Sequence, residues 1–284
     1  MNTSIAVESK ESFVSSWPAS LDIEFSARPG KTVASSIRHF GPLRVQRPFY
    51  PEKDETCHLY LLHPPGGVVG GDVLNITVAA NENSKSLITT PGATKIYRSN
   101  TGSNIQQTLR LEKESILEWM PQEAILFNDA QTDINTNVHF SEDSRLFFWD
   151  ILCLGLPVNN EKFISGHCRQ SLKIFRDKKP VLIENNHFEG GSDLMSASWG
   201  MQGLYVNAIS VMTVGQSDIV EKIRSVTNSE KESLFAVTEK QGLVICRYMG
   251  NSVEEAKALF LEAWKLWRIS ELEKEVVAPR IWGT

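Results

Sequence analysis

The chain has 284 residues, 41% of them hydrophobic, which is enough for one large β domain or two modest ones. A formal net charge of −5 argues against a nucleic-acid binder, and a 22% charged fraction is ordinary for a soluble protein. Cys57, Cys153, Cys168 and Cys246 are scattered with no C-x-x-C pair, and so fit reduced cytosolic thiols better than a disulfide framework.

The N-terminus, MNTSIAVESKESF, lacks a basic region followed by an apolar one, so no secretory signal is visible. The first 19 or so residues are expected to form a flexible arm on a single domain filling the chain. To about residue 215, short runs rich in β-branched and aromatic residues alternate with glycine, proline, asparagine and aspartate. ASLDIEFSA, HLYLLH, VLNITVAA, KSLITT, NIQQTLRLE, SILEWM, EAILF, NVHF, RLFFWDILCL, CRQSLKIF, PVLIEN and LYVNAISVMTV are the predicted strands. The strongest apolar stretch, Leu146 to Val158, is interrupted by Asp150 and is too short to cross a bilayer. The expectation is a cytoplasmic protein with no membrane segment.

Residues 63–72, HPPGGVVGGD, place four glycines in six positions. Gly66 and Gly71 have the separation of the glycines in a phosphate-binding loop, but Asp72 and Val73 stand where Lys and Ser or Thr are required. The following DVLNITV alternates as a strand rather than opening a helix, which also excludes a dinucleotide fingerprint. What remains is a turn in which Gly66, Gly67, Gly70 and Gly71 permit positive φ and close backbone approach. His63 and Asp72 bracket it. They either bond turn backbone or offer polar contacts to something passing. In TTPGATKIYRS (89–99), Pro91-Gly92 is a turn signal with Gly92 suited to positive φ. Lys95 and Tyr97 are expected on one face of the next strand and Arg98 on the other. A surface hairpin and a partner-docking edge account for them equally well.

The C-terminal third changes period. Asp218 with Glu221 has capping-box spacing, as does Ser252 with Glu255, and helices follow both. Behind Ser252, the residues Ala256, Phe260, Ala263 and Trp267 form a stripe widened by Leu259, Trp264 and Leu266. Glu254, Lys257, Glu262, Lys265 and Arg268 fall mostly away from it. GLVICRYMG between the helices reads as one more strand. The fold is therefore mainly β, many-stranded, with one or two helices in the C-terminal region.

No His pair has metal-binding helical spacing, and no His/Cys group has zinc-finger spacing. No G-x-S-x-G elbow or local cysteine signature is present. Glu254-Glu255 and Asp54-Glu55 sit in cap and turn contexts. This pattern favours a binding or scaffold role over catalysis.

Taken together and in order, GPLRVQRPFYPE (41–52), LHPPGGVVGGD (62–72), LITTPGATKIYRS (87–99), LEWMPQEAILF (117–127) and PRIW (279–282) resemble the urease accessory protein UreD family, also called UreH. The resemblance runs from about residue 20 to the end. It implies a non-enzymatic cytosolic scaffold with a solenoid-like β arrangement, loading nickel into apo-urease together with the helical UreF and the nickel-carrying GTPase UreG. No cofactor is held tightly, and Ni²⁺ is in transit. Where the family commonly carries G-R-x-A-x-G-E, this chain reads GLPVNNE (155–161), losing the arginine at Leu156 and the second glycine at Asn160.

A metal passage needs sparse, exchangeable ligands, because converging imidazoles and carboxylates would retain Ni²⁺. On that implication His63 and Asp72 line the nickel route. Lys95, Tyr97, Arg98, Trp264, Trp267 and Trp282 are the candidate partner-binding residues, and the apolar patch expected on a scaffold lies at Trp264, Trp267, Ile281 and Trp282. The competing expectations are a metal-dependent hydrolase on a β-rich fold using His63 and Asp72, and a stand-alone binding module.

Overall fold

A computed structural model of the chain describes residues 17–283 apart from 55, 216–217 and 228–232. Residues 1–16 of the expected arm, and Glu55 of the Asp54–Glu55 pair, lie outside the described residues. In chain order the strands are β1 (Pro18–Arg28), β2 (Lys31–Phe40), β3 (Arg44–Val45), β4 (Cys57–Leu62), β5 (Val73–Ala80), β6 (Lys85–Thr89), β7 (Thr94–Ile96), β8 (Ser103–Leu111), β9 (Ile116–Met120), β10 (Ala124–Leu126), β11 (Gln131–Phe140), β12 (Arg145–Leu156), β13 (Glu161–Lys162), β14 (His167–Arg176), β15 (Lys179–Glu189), β16 (Val206–Thr213), β17 (Leu234–Lys240) and β18 (Leu243–Gly250). The helices are α1 (Asp193–Ser196), α2 (Ile219–Val226) and α3 (Val253–Leu272). The fold is mainly β with few helices.

From β4 to β14 the chain winds between two sheets. One has the order β15-β14-β11-β8-β5-β1-β2, and the other runs β17-β18-β16-β12-β9-β6-β4-β3. Strands β1, β5, β8, β11 and β14 are parallel, as are β4, β6, β9 and β12, while antiparallel neighbours finish the edges. This is a solenoid-like winding, in which side chains of successive turns stack in rows.

Register makes those rows explicit. Ile23, Val78, Leu109, Val138 and Ile174 align across the first sheet, are all buried, and give an apolar row. The next inward row runs Leu21, Ile76, Gln107, Thr136, Leu172, and the one after it Ala19, Leu74, Ile105, Ile134, Gln170. Polar residues therefore enter the interior at a few defined places. The outer face of this sheet is solvated, which gives its strands their alternation. The second sheet is covered on both sides, by the first sheet and by α2 and α3. Its strands accordingly read as continuous apolar runs such as LFFW, with the even-numbered Leu146, Phe148 and Leu152 facing the other sheet and Phe147, Trp149 and Ile151 facing the helices.

Four strands were not expected: the two-residue β3 and β13, and the edge strands β2 and β17. Each pairs with only one neighbour and buries little of its length, so its hydrophobic alternation is weak. The caps also differ in part. Asp218 is the N-cap of α2 but makes no side-chain cap bond, because its carboxylate pairs with Lys222 at 2.6 Å. Ser252 does cap α3, accepting the Glu255 N–H at 3.0 Å. The reciprocal half of the box runs through Tyr248, whose hydroxyl accepts the Ser252 N–H and donates to Glu255 at 2.6 Å.

Candidate functional site

The glycine loop and the TTPGATKIYRS stretch are built against each other. The Val68 N–H donates to the Lys95 carbonyl at 2.7 Å, the Tyr97 N–H returns to the Val68 carbonyl at 2.8 Å, and Gly71 N–H reaches the Gly102 carbonyl. A Cβ on Gly67 would stand 2.2 Å from the Tyr97 ring, and one on Gly70 would stand 2.3 Å from the Thr101 carbonyl oxygen. Gly66 and Gly71 are left-handed, with φ of 81° and 86°. The four glycines thus divide the work: two turn the chain and two admit the neighbouring segment. Gly92 differs from expectation, since it is not among the left-handed residues and a Cβ there would meet open space.

Asp72 is buried. Its Oδ2 accepts the Val69 N–H at 2.9 Å, while Oδ1 is buried without a partner among the described residues. His63, at the end of β4, is half-buried, and Asp72 lies near enough for its charge to act on it. Burial pushes the imidazole pKa below its ordinary value, and Asp72 offsets this in part. Burial thus favours the neutral form of the ring.

His63 stands where two cavities meet. One, of about 210 Å³, is bounded by the glycine loop, Thr90 to Lys95 and Leu61. The other, of about 90 Å³, lies between the two sheets and is lined by His63, Thr90, Thr94, Gln107 and Asp150 among apolar side chains. Asp150 in turn lines a third cavity, of about 80 Å³, with Gln170, Asn186, Asn207, Glu184 and Arg247. The first-sheet rows bring Gln107 and Gln170 to this level, and β12 carries Asp150 on its inward, even-numbered face. Gln170 donates to Asp150 Oδ2 at 2.9 Å, and Asn186 donates to Gln170 at 3.1 Å. Burial raises the Asp150 pKa against the pull of Gln170 and the Ile151 N–H. At the outer end Arg247 pairs with Glu184. Shared lining residues, His63 and then Asp150, therefore place three cavities in series from the glycine loop through a mainly apolar sheet interface to Arg247. Among the described residues, no three His, Cys, Asp or Glu side chains gather as a metal cluster. Asp150 was absent from the sequence-based candidates, and its one signal was the break it makes in an apolar run.

The helical tryptophans lie elsewhere. Trp264 and Trp267 are fully buried under α3 and present no surface to a partner in this conformation. Trp264 Nε1 donates to Glu118 and Trp267 Nε1 to the Thr213 carbonyl. Trp282 is half-buried, tilted against Trp149 at 5.5 Å and donating to Thr89 at 3.0 Å, so the PRIW end seals the same core. Arg268 does not lie on the solvated face of α3 but is wholly buried, clasped by Glu52 and Glu118. Lys95 and Arg98 are both exposed, and Tyr97 packs on Gly67 and Phe127, because the strand ends at Ile96 and the expected alternation stops there.

The GLPVNNE stretch keeps the geometry that its lost glycine implies. Gly155 has φ 93°, and a Cβ there would lie 2.5 Å from the Glu161 carbonyl oxygen. Asn160, standing where the family pattern has glycine, is left-handed at φ 59°. Asparagine is among the few side chains that tolerate this conformation.

The family model described as UreD urease accessory protein matches residues 18–283. The urease accessory protein UreD 2 of Brucella anthropi is 40% identical over 271 residues, covering 94% of this chain and 98% of that protein. UreD of Alcanivorax borkumensis is 41% identical, with 94% and 92% covered, and UreD of Klebsiella aerogenes is 38% identical, with 94% and 97% covered. A match of this extent, carried by motifs whose glycines and polar residues have defined places in the fold, settles the family: the chain belongs to the UreD urease accessory proteins.

Proposed function

We propose that this protein is a non-catalytic scaffold of urease maturation, working in the cytoplasm with UreF, UreG and apo-urease, and that Ni²⁺ passes through it as cargo. The observation that carries this reading is the line of three cavities from His63 through Asp150 to the Glu184–Arg247 pair. Each step offers few ligands: the His63 imidazole at the glycine loop, with the Asp72 carboxylate behind it but lining none of the three cavities, then one carboxylate with two amide side chains. Imidazole and carboxylate both suit Ni²⁺, and affinity rises steeply as they converge. Spread along a line, they let the ion exchange onward instead of holding it. The solenoid supplies the line because stacked rows place a polar side chain at chosen turns without breaking the apolar rows beside it.

The test is complementation of cells deleted for this chain, scored by urease activity and by nickel bound per urease. The deletion is expected to abolish both, wild type to restore both, and the His63→Ala/Asp72→Ala pair to restore neither fully. Intact urease activity in the deletion strain would refute the maturation role. Full nickel loading by the double variant would remove these two residues from the route.

A further inference from the structure

The opening of β14 and the close of β15 are locked together by the glycines that flank them. The Gly190 N–H donates to the Gly166 carbonyl at 2.9 Å. A Cβ on Gly166 would stand 2.3 Å from the Ala130 carbonyl oxygen, and one on Gly190 would stand 2.4 Å from Ser165 N. The corner admits no side chain at either place. Its register is therefore fixed, setting His167 opposite Glu189 and Arg169 opposite His187.

Cys168, Gln170 and Phe188 are buried, so the alternation puts His167, His187 and Glu189 on the outer face of the first sheet. His187 and Glu189 are exposed on β15, the edge strand, and His167 is half-buried on β14 beside them. The two imidazole rings stand 6.4 Å apart, centroid to centroid, with their planes at 83°. Among the described residues, none of these three side chains takes part in a hydrogen bond or ion pair.

An imidazole nitrogen bonds Zn²⁺ at about 2.0–2.1 Å, so two rings sharing one ion keep their centroids within about 6.5 Å. The observed spacing lies inside that reach. The three side chains do not gather as they stand, but rotation of the exposed His187 and Glu189 closes the set, because cross-strand neighbours on one face are within reach of long side chains. Arg169 is the cation directly opposite His187. Its guanidinium leans toward Asp133 at 4.0 Å, and β11, which carries Asp133, flanks β14 on the side away from β15. None of the three residues lines the cavities of His63 and Asp150.

We propose that His167, His187 and Glu189 form a surface site for a late first-row divalent cation of the Zn²⁺, Ni²⁺ and Cu²⁺ class, which staples the edge strand β15 to β14. Imidazole with carboxylate suits these ions, whereas Mg²⁺ and Ca²⁺ take oxygen ligands. Water completes the coordination, so the ion exchanges. An edge strand is paired on one side only, and an ion bound across it stabilises the folded chain by mass action. The site does not rest on the maturation reading.

The probe is Zn²⁺ alone, titrated into the full chain and followed by the imidazole NMR resonances, by calorimetry and by the melting temperature. The His167 and His187 resonances are expected to shift together over one binding curve, and the melting temperature to rise. Mg²⁺ at the same concentration should move neither ring. His167→Gln/His187→Gln should weaken this binding at least tenfold and abolish the rise. Glu189→Gln should weaken it by less, with both rings still shifting. The melting temperature of each variant without ion separates loss of the site from loss of the fold. Rings that stay unmoved or titrate independently, shifts confined to His63, or a double variant that binds like wild type would each overturn the proposal. Because no arm reads urease, its failure leaves the maturation reading standing, and failure of that reading leaves the site standing.

Discussion

Two polar clusters, one fully and one partly buried, lie on opposite faces of the second sheet. Under α3, Arg268 spends all five of its N–H donors, on both oxygens of Glu52, both oxygens of Glu118 and the Glu275 carbonyl. His58 bonds Glu52 at 2.7 Å, and the Arg268 guanidinium lies over the Trp264 ring at 4.7 Å. On the inward face, Asp150 has Gln170 and one backbone N–H, with cavities on either side. The first cluster spends every Arg268 donor, leaves the buried His58 Nδ1 without a partner among the described residues, and fastens helix, tail and the Glu52 loop to the solenoid. The second, with room beside it, is suited to transient contact. Polar groups set against one sheet thus take opposite roles, decided here by a fully bonded guanidinium on one face and by free volume beside a part-buried carboxylate on the other.

The comparison breaks most visibly at Arg268. Arg268→Met leaves the buried Glu52 and Glu118 without their guanidinium, held only by His58 and Trp264, and is expected to cost about 3–5 kcal/mol, read as a shift in chemical denaturation. Gly70→Ala drives a Cβ into the Thr101 carbonyl beside the first cavity and should cost about 1–3 kcal/mol, read in the same way. Trp282→Phe removes one hydrogen bond to Thr89 and should cost about 0.5–1.5 kcal/mol.

pH sharpens the contrast. Burial alone would raise the Glu52 pKa, but bonds from His58 and Arg268 pull it below its ordinary value. Its contribution to stability is therefore present above the unfolded carboxylate pKa and is lost as pH falls through the folded one. Asp150 has the opposite sign. Its raised pKa makes the folded state hold the proton, so stability declines as pH rises from about 4, the unfolded carboxylate value, through the folded pKa. Asp150→Asn should leave the fold intact and slightly more stable at pH 7, while Glu52→Gln should flatten the acid limb of the denaturation profile.

Much of this was legible beforehand where one residue's environment decides its type. Runs such as VLNITVAA reproduce β5, and the stripe of α3 marks its buried face. The glycine loop read as a turn, yet why Gly67 and Gly70 carry no side chain needs Tyr97 and Thr101 in place. Gln107, Gln170 and Asp150 face one interior only through strand register, which no local pattern encodes. Arg268 misled because a helical wheel sees only its own helix, and the two carboxylates that bury it come from residues 52 and 118. The edge strands β2 and β17 escaped for the converse reason, having too little buried face to leave a signal.

The most direct measurement is nickel bound per urease in cells whose only copy of this chain carries Asp150→Asn, with the variant's level and stability measured alongside. A passage through the solenoid predicts a stable, abundant variant and urease depleted of nickel at least severalfold. Fully loaded urease with that variant would contradict a route past Asp150.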